Sequence, residues 1–408
     1  MTAARVLLLV PARTYRAADF LRAATRMGLD LVVGSDGTLP LGDRPVVHVS
    51  PGDPETTAGQ ILARAGPVDA VVAADTPMLA LAAAIAARLG LAGNPVDAVL
   101  AAADKAEQRH RWAAGAVTQP AFRIVPAAAC EDSVAAAAAQ VGFPCVVKAV
   151  SLSASQGILR AGDQASAMAA ARRIRRVLAQ ARRPGDEPLI IEEYVPGPEL
   201  SIDGILTAGE LTVTAVFDKP DTPEGPTFEE TLLVTPSRLP GPVLAAAIAT
   251  AGRAARALGL RYGPIHAELR IDDRAGALTP AMVELAARSI GGLCSRALRF
   301  SGGVTLEELV LASALGLPPS PGRLARAAGV LMLPVERPGV LRAVEGLADA
   351  AAVPGITGLT ITIPAGQLVR PLPDGDRYLG FIFAEGDTPA EAENALRAAR
   401  SQLHVVIH

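Results

Sequence analysis

Residues 264–288 read PIHAELRIDDRAGALTPAMVELAAR. Apolar and polar residues alternate over Pro264–Asp272 and again over Leu278–Ala286, with Asp273-Arg274-Ala275-Gly276 between them, so the stretch predicts a β-hairpin. Period two sets His266, Glu268 and Arg270 on one face of the first strand; Glu284, Ala286 and Arg288 share a face on the partner side. Paired about that turn, Glu268 and Glu284 lie on adjacent strands and face the same space. Two crowded carboxylates repel unless a cation holds them, and hard oxygen ligands suit Mg²⁺. Arg288 would neutralise charge developing on a transferring group, or hold a substrate carboxylate. The ordinary alternative is a surface ladder in which each glutamate pairs with Arg270 or Arg288.

Upstream, the apolar run Pro144-Cys145-Val146-Val147-Lys148 ends in lysine and leads into Ser151-Leu152-Ser153-Ala154-Ser155-Gln156-Gly157-Ile158. Small residues let backbone N–H groups approach an anion, as a phosphate-cradling loop requires. A solvated strand-end lysine before a serine-rich turn is the plainer reading. A second apolar strand, Leu189-Ile190-Ile191, closes in Glu192-Glu193-Tyr194-Val195 before Pro196-Gly197-Pro198-Glu199. Its end offers backbone groups to a nucleobase and Glu199 to ribose hydroxyls; taken alone, a strand followed by an acidic turn is the better explanation. The lysine census adds weight, because the chain carries 35 arginines and only three lysines, Lys105, Lys148 and Lys219. Lysine kept against that bias points to sites where a compact ammonium is needed and a planar guanidinium does not fit.

The 408 residues suffice for two or three domains, and half of them are hydrophobic. A net charge of −3 gives no electrostatic reason to expect nucleic acid. Cys130, Cys145 and Cys294 lie far apart, which excludes a disulfide framework and a zinc finger and suits a reducing cytoplasm. No stretch predicts a targeting segment or a membrane span; Met78 to Ala92 is cut by Arg88 and Gly90. Over residues 1–104, strands at Arg5–Val10, Leu31–Gly34, Val46–Val49 and Ala70–Ala74 alternate with helical patterns, the signature of a parallel sheet. Ligands bind beyond the carboxyl ends of such strands, so Arg13, Thr14 and Tyr15 are candidate wall residues. No GxGxxG opens a helix there, which argues against a dinucleotide site. A core over 105–316 contains a lobe at about 120–192. The loop Arg182–Pro188 precedes its last strand, and the proline-rich Leu317–Arg323 opens a C-terminal domain over 317–408.

Taken in order, Asp104-Lys105 at a helix head, Pro144-x-Val-Val-Lys148, Glu192-Glu193-Tyr194-Val195-x-Gly197-x-Glu199 and Glu268…Glu284-x-x-x-Arg288 resemble the ATP-grasp superfamily, in particular its carboxylate–amine ligases such as the L-amino acid ligases. The resemblance covers about residues 1–310, and the C-terminal piece resembles the closing domain of biotin-carboxylase-like members. It implies an α/β and α+β fold: a Rossmann-like N-terminal domain, a two-lobed ATP-grasp core with a mobile lid lobe, and a small C-terminal α+β domain. The implied cofactors are ATP and Mg²⁺, with Mn²⁺ able to substitute. Lys105 and Lys148 would bind the phosphates beneath a mobile loop holding Ser153, Ser155 and Gly157. Glu192 and the Tyr194–Val195 backbone would meet adenine, and Glu199 the ribose. Glu268 and Glu284 would ligate Mg²⁺, and Arg288 would stabilise the transferring phosphoryl group.

The partners implied are a small-molecule carboxylate and an amine, with a homodimer left open. Lys219, Glu230 and His266 are substrate candidates, and the turn Ser289-Ile290-Gly291-Gly292 would offer free N–H groups to an anion. One departure stands out: many members have Glu-x-Asn-x-Arg, whereas position 286 is alanine, which ligates nothing. That departure keeps open a catalytically weakened nucleotide-binding regulatory protein. A biotin-carboxylase-like component is the other alternative, although no lysine beyond Lys219 exists to carry biotin.

Overall fold

The computed structural model describes residues 3–39, 46–50, 52–127, 131–181, 187–222, 224–274 and 276–408. Cys130, most of the loop 182–188 and Ala275 of the hairpin turn fall outside them. Strand Arg5–Val10 is flanked by Asp30–Ser35 and Ala70–Ala73, with Val46–His48 at the far edge, and all neighbours are parallel. Leu7, Leu8 and Leu9 are fully buried, because helices cover both faces of this sheet. Beyond the elements expected, Val96–Ala103 forms a helix that ends at Asp104. The Asp104 carboxylate caps the next helix, Lys105–Ala114, accepting from the Ala106 and Glu107 N–H groups.

The lobe near 120–192 is an antiparallel sheet in the order Phe122–Val125, Leu189–Glu193, Cys145–Ala149, Ile158–Ala161. Helices Glu131–Val141 and Gln164–Gln180 pack on it to make its own apolar core. Eight strands form the central sheet, with Thr279–Ala286, Gly263–Asp272, Glu199–Thr207 and Glu210–Lys219 leading to Leu232–Thr235. That sheet continues into residues beyond 317, since Leu232–Thr235 pairs with Ala327–Leu333, which pairs with Gly380–Gly386. The proline-rich boundary therefore separates chain segments without dividing the sheet. Residues of the N-terminal sheet, such as Val6 and Leu8, share one core with Phe217, Phe300 and Phe381, which fixes the first and last parts of the chain around the same space. No helix among the described residues is long and apolar enough to cross a membrane.

Candidate active site

The loop after the first strand, the ends of the lid-lobe strands and the hairpin enclose a cavity of about 500 Å³. Arg13, Thr14, Tyr15, Lys148, Ser153, Ser155, Glu192, Tyr194, Val195, Glu199, Glu230, His266, Glu268, Glu284, Arg288, Gly291 and Gly292 all line it. Most of the residues expected from sequence thus meet in one place. Lys105, Gly157 and Lys219 do not line the wall but stand directly behind it.

At one end, Lys148 is buried rather than solvated. Its Nζ lies 2.6 Å from Glu192 Oε2, and Arg109 Nε lies 2.6 Å from Glu192 Oε1. Burial pushes the Lys148 ammonium below its ordinary pKa, with Glu192 opposing the shift. Burial alone would raise the Glu192 carboxyl, but Arg109 and Lys148 overcome it and hold the group low. The Glu192 side chain is therefore committed to cations, and its backbone lies in the ladder between Phe122 and Val146, so residue 192 has no free group for a nucleobase. Lys105 Nζ donates to the Leu152 carbonyl at 2.6 Å and lies 3.1 Å from Glu284, tying the head of its helix to the small-residue loop. Within that loop Ala154, Ser155 and Gly157 have φ of 55°, 57° and 65°. Left-handed backbone at two non-glycine residues is strained, by about 1–3 kcal/mol each, and such strain collects at ligand-clamping loops. Gly157, at φ 65°, takes the left-handed backbone that glycine adopts without strain.

At the other end the hairpin pairs as expected, with Glu268 opposite Glu284 and His266 opposite Ala286. A bulge after Glu268 leaves Val283 over, and Arg109 Nη2 donates to the Val283 carbonyl at 2.6 Å. Neither glutamate pairs with Arg270 or Arg288. Glu268 lies 3.4 Å from Lys219 and 3.3 Å from His266 Nε2, while Glu284 meets Lys105. The salt-bridge ladder is thus replaced by lysine contacts. All three lysines are buried, and each touches carboxylates of this site. Among the described residues, the carboxylates of Glu199, Glu230 and Glu268 lie within 4.8 Å of one another. Lys219 binds all three, Glu199 at 2.6 Å, and is raised well above its ordinary pKa because those charges outweigh burial. Glu199 gives its second oxygen to Arg270 Nε at 2.9 Å, so both its oxygens already hold partners and ribose would have to share them. His266 sits between Asp203 and Glu268, which outweigh burial and raise its pKa to about 9.

Arg288 donates to Thr76 Oγ1 at 3.3 Å and to the Ser289 carbonyl at 2.9 Å. The N–H of Ile290 is not free, as expected above, but donates to Asp203 at 2.9 Å. Gly291 and Gly292 remain as the cavity-lining glycines of that turn. Sequence reasoning missed Arg16, which is 2 % exposed and donates to the Ala74 carbonyl and to Ser289 Oγ, clamping the turn onto the N-terminal sheet. It also missed Asp203, Arg109 and Glu187, whose carboxylate accepts from Val150 and Ser151 at the root of the loop. Two of these carried a signal. Arg109 follows Lys105 by one helical turn, and Asp203 follows Glu199 on the same strand face. Met332, Tyr378 and Phe381 reach the cavity from the C-terminal strands, which no local pattern announces. Cys145 and Cys294 are free and buried, and burial lifts the Cys145 thiol to about 11, so neither is poised as a nucleophile.

As a donor set, the site fits a divalent cation. Glu268 and Glu284 offer hard oxygens from side chains still 21 % and 29 % exposed; Glu284 meets the Lys105 ammonium, and Glu268 meets the Lys219 ammonium and the His266 ring.

Residues 141–297 match the ATP-grasp domain, and residues 331–408 match the L-amino acid ligase C-terminal domain 2. Carnosine synthase 1 of Gallus gallus is 36% identical over 168 residues, 39% of this chain and 18% of that protein. Alanine–anticapsin ligase of Bacillus subtilis is 27% identical over 260 residues, 60% of this chain and 53% of that protein. The chain thus spans about half the length of that ligase. The crystal structure of an L-amino acid ligase from Bacillus licheniformis superposes with a TM-score of 0.81 at 24% identity over the whole of both chains. A biotin carboxylase from Campylobacter jejuni gives 0.68 at 16% over 98% of this chain and 92% of its own. At these identities the superpositions establish the fold alone; the two domain matches give the chain an ATP-grasp domain over 141–297 and a C-terminal domain of the L-amino acid ligase type over 331–408.

Proposed function

We propose that the chain is an ATP- and Mg²⁺-dependent carboxylate–amine ligase that activates an amino-acid-like carboxylate as an acyl phosphate. The observation that carries this reading is the convergence of two buried lysines, the strained loop, the Glu268–Glu284 pair and Arg288 on one cavity.

ATP would lie with its adenine against the Tyr194–Val195 strand end and its ribose toward Glu199. Its phosphates would draw Lys148 and Lys105 partly away from Glu192 and Glu284, exchanging one anion for another. Ser153, Ser155 and Gly157 would close over them as part of the lid. Glu268 and Glu284 would hold Mg²⁺, or Mn²⁺, which supplies charge neutralisation between the phosphates when bound. A substrate carboxylate oxygen would then form a bond to the γ-phosphorus as the bond to ADP breaks. Arg288, with the Gly291 and Gly292 backbone, would face the charge on the acyl phosphate. An amine nitrogen would form the C–N bond at the carbonyl carbon as the C–O bond to phosphate breaks, its surplus proton passing to the departing phosphate. Positioning and charge neutralisation account for all of these roles; no side chain is needed as a covalent nucleophile. Lys219, Glu230 and His266 would set the substrate end of the cavity. The ligase-type C-terminal domain favours this reading over a biotin-dependent one.

ADP release measured across single amino acids and amino-acid pairs, with mass spectrometry of the products, tests it. ADP formation should require a carboxylate, and an amide product should require an amine as well. Turnover that needs bicarbonate and biotin, with none from any amino acid, would overturn it.

A further inference from the structure

Glu284 faces the cavity because the hairpin is irregular. On the turn side of the bulge Leu269 pairs with Met282, so an unbroken ladder would carry Glu284 to a place opposite Ala267. The Ala267 side chain is fully buried in the core on the other face of the sheet. One extra residue, Val283, returns Glu284 to the face of Glu268.

Strand Thr279–Ala286 is the edge of the eight-stranded sheet, and its outer side meets helix Lys105–Ala114 instead of another strand. Lys105, Gln108 and Arg109, spaced i, i+3 and i+4, share the helix face turned to it. Gln108 Nε2 donates to the Leu285 carbonyl at 3.0 Å, and the Leu285 N–H donates to Gln108 Oε1 at 3.1 Å. That is the pair of bonds a neighbouring strand would supply. Gln108 Nε2 also donates to the Ala102 carbonyl at 2.8 Å, which fixes the orientation of this buried amide. Arg109 Nη2 donates to the Val283 carbonyl at 2.6 Å. The residues before and after Glu284 are thus fastened to the helix, and the Glu284 carboxylate is left to Lys105 and the cavity.

We propose that Gln108 and Arg109 are positioning residues for the metal ligand. By fastening residues 285 and 283 they select the bulged register, and with it the face on which Glu284 stands. The inference rests on the metal-binding part of the reading above. Gln108 is the cleaner of the two to break, since Arg109 also holds Glu192 beside Lys148.

The test is Mn²⁺ binding to the full chain with a non-hydrolysable ATP analogue, followed by water-proton relaxation, with analogue affinity measured separately without metal. Gln108→Met keeps the unbranched stem and removes the three hydrogen bonds of the amide. Its Mn²⁺ affinity should fall by about tenfold or more, the scale for a residue that orients a metal ligand. Analogue binding without metal should stay at the wild-type value, because Lys105 and Lys148 are intact. Asn94→Ala controls for lost stability. Asn94 fastens backbone in the same way, at Arg261 and Tyr262 ahead of the hairpin, and its loss should lower the melting temperature without changing Mn²⁺ affinity. If Gln108→Met does not fold, Arg109→Lys carries the same test. One ammonium can stay on Glu192 but cannot also reach Val283, so Mn²⁺ affinity should again fall. A folded Gln108→Met or Arg109→Lys variant that binds Mn²⁺ as tightly as the wild type, or an equal loss in Asn94→Ala, overturns the inference while the metal site stands. A wild type that binds no Mn²⁺ with the analogue removes the metal reading and the inference with it.

Discussion

Two lysines of this chain are equally buried and yet shifted in opposite directions. Lys148 lies below its ordinary pKa and Lys219 well above it. Around Lys148, three cations, Lys105, Arg109 and Lys148, face two carboxylates, Glu192 and Glu284. Around Lys219, four carboxylates, Glu199, Asp203, Glu230 and Glu268, face three cations, Lys219, Arg270 and His266. One end of the cavity therefore carries a surplus of positive charge and the other a surplus of negative charge. Burial makes each surplus expensive to leave uncompensated, and a bound anion at the first or a bound cation at the second relieves it. The first end is thereby suited to phosphates, the second to a metal ion or a substrate ammonium.

The largest effect should come from breaking the second end. Lys219→Met leaves three carboxylates crowded within 4.8 Å without their central cation. Urea denaturation should show a loss of about 3–5 kcal/mol, the range for uncovering buried charges. Lys148→Met should cost clearly less, because Glu192 keeps Arg109 at 2.6 Å. Equal losses would mean that the two ends are not electrostatically distinct.

Next in size is Glu284→Gln. Its oxygen should meet charge that develops during phosphoryl transfer, so turnover should fall by about 10²–10³-fold. The melting temperature should move little, since Glu284 is partly exposed and its one ion pair is with Lys105. A folded variant with near-normal turnover would return the hairpin to a structural role. The smallest effect should be that of Ala286→Asn. It adds one oxygen ligand opposite His266, and should change the Mg²⁺ concentration for half-maximal turnover by a few-fold, within about 1 kcal/mol. No change at all would show that position 286 lies outside the metal's reach.

Much of this contrast was legible in the chain. Alternation in 264–288 placed Glu268 and Glu284 on adjacent strands, but their register depends on the bulge: Leu269 pairs with Met282, so an unbroken ladder would have set Glu268 against Val283 and turned Glu284 to the other face. The lysine census picked out three buried cations from 38 basic residues, since a composition bias exposes positions that resist it. Partners were not legible. That Lys148 would be buried on Glu192, and Lys219 between three glutamates, depends on which strands become neighbours in space. The same holds for Arg16 reaching Ser289 across the cavity and for Phe381 closing it from the other end of the chain. The bulge that hands the Val283 carbonyl to Arg109 is likewise a property of the paired sheet.

Binding of a non-hydrolysable ATP analogue with Mg²⁺ to the wild type and to Lys148→Met, followed by calorimetry, tests the central claim that the first end is a phosphate site. The substitution keeps most of the unbranched stem, removes the ammonium and leaves the Glu192–Arg109 pair in place, so the protein should remain folded. Affinity should fall by about tenfold or more, the scale of one charge-assisted contact to phosphate. A folded Lys148→Met variant that binds the analogue as tightly as the wild type would contradict it.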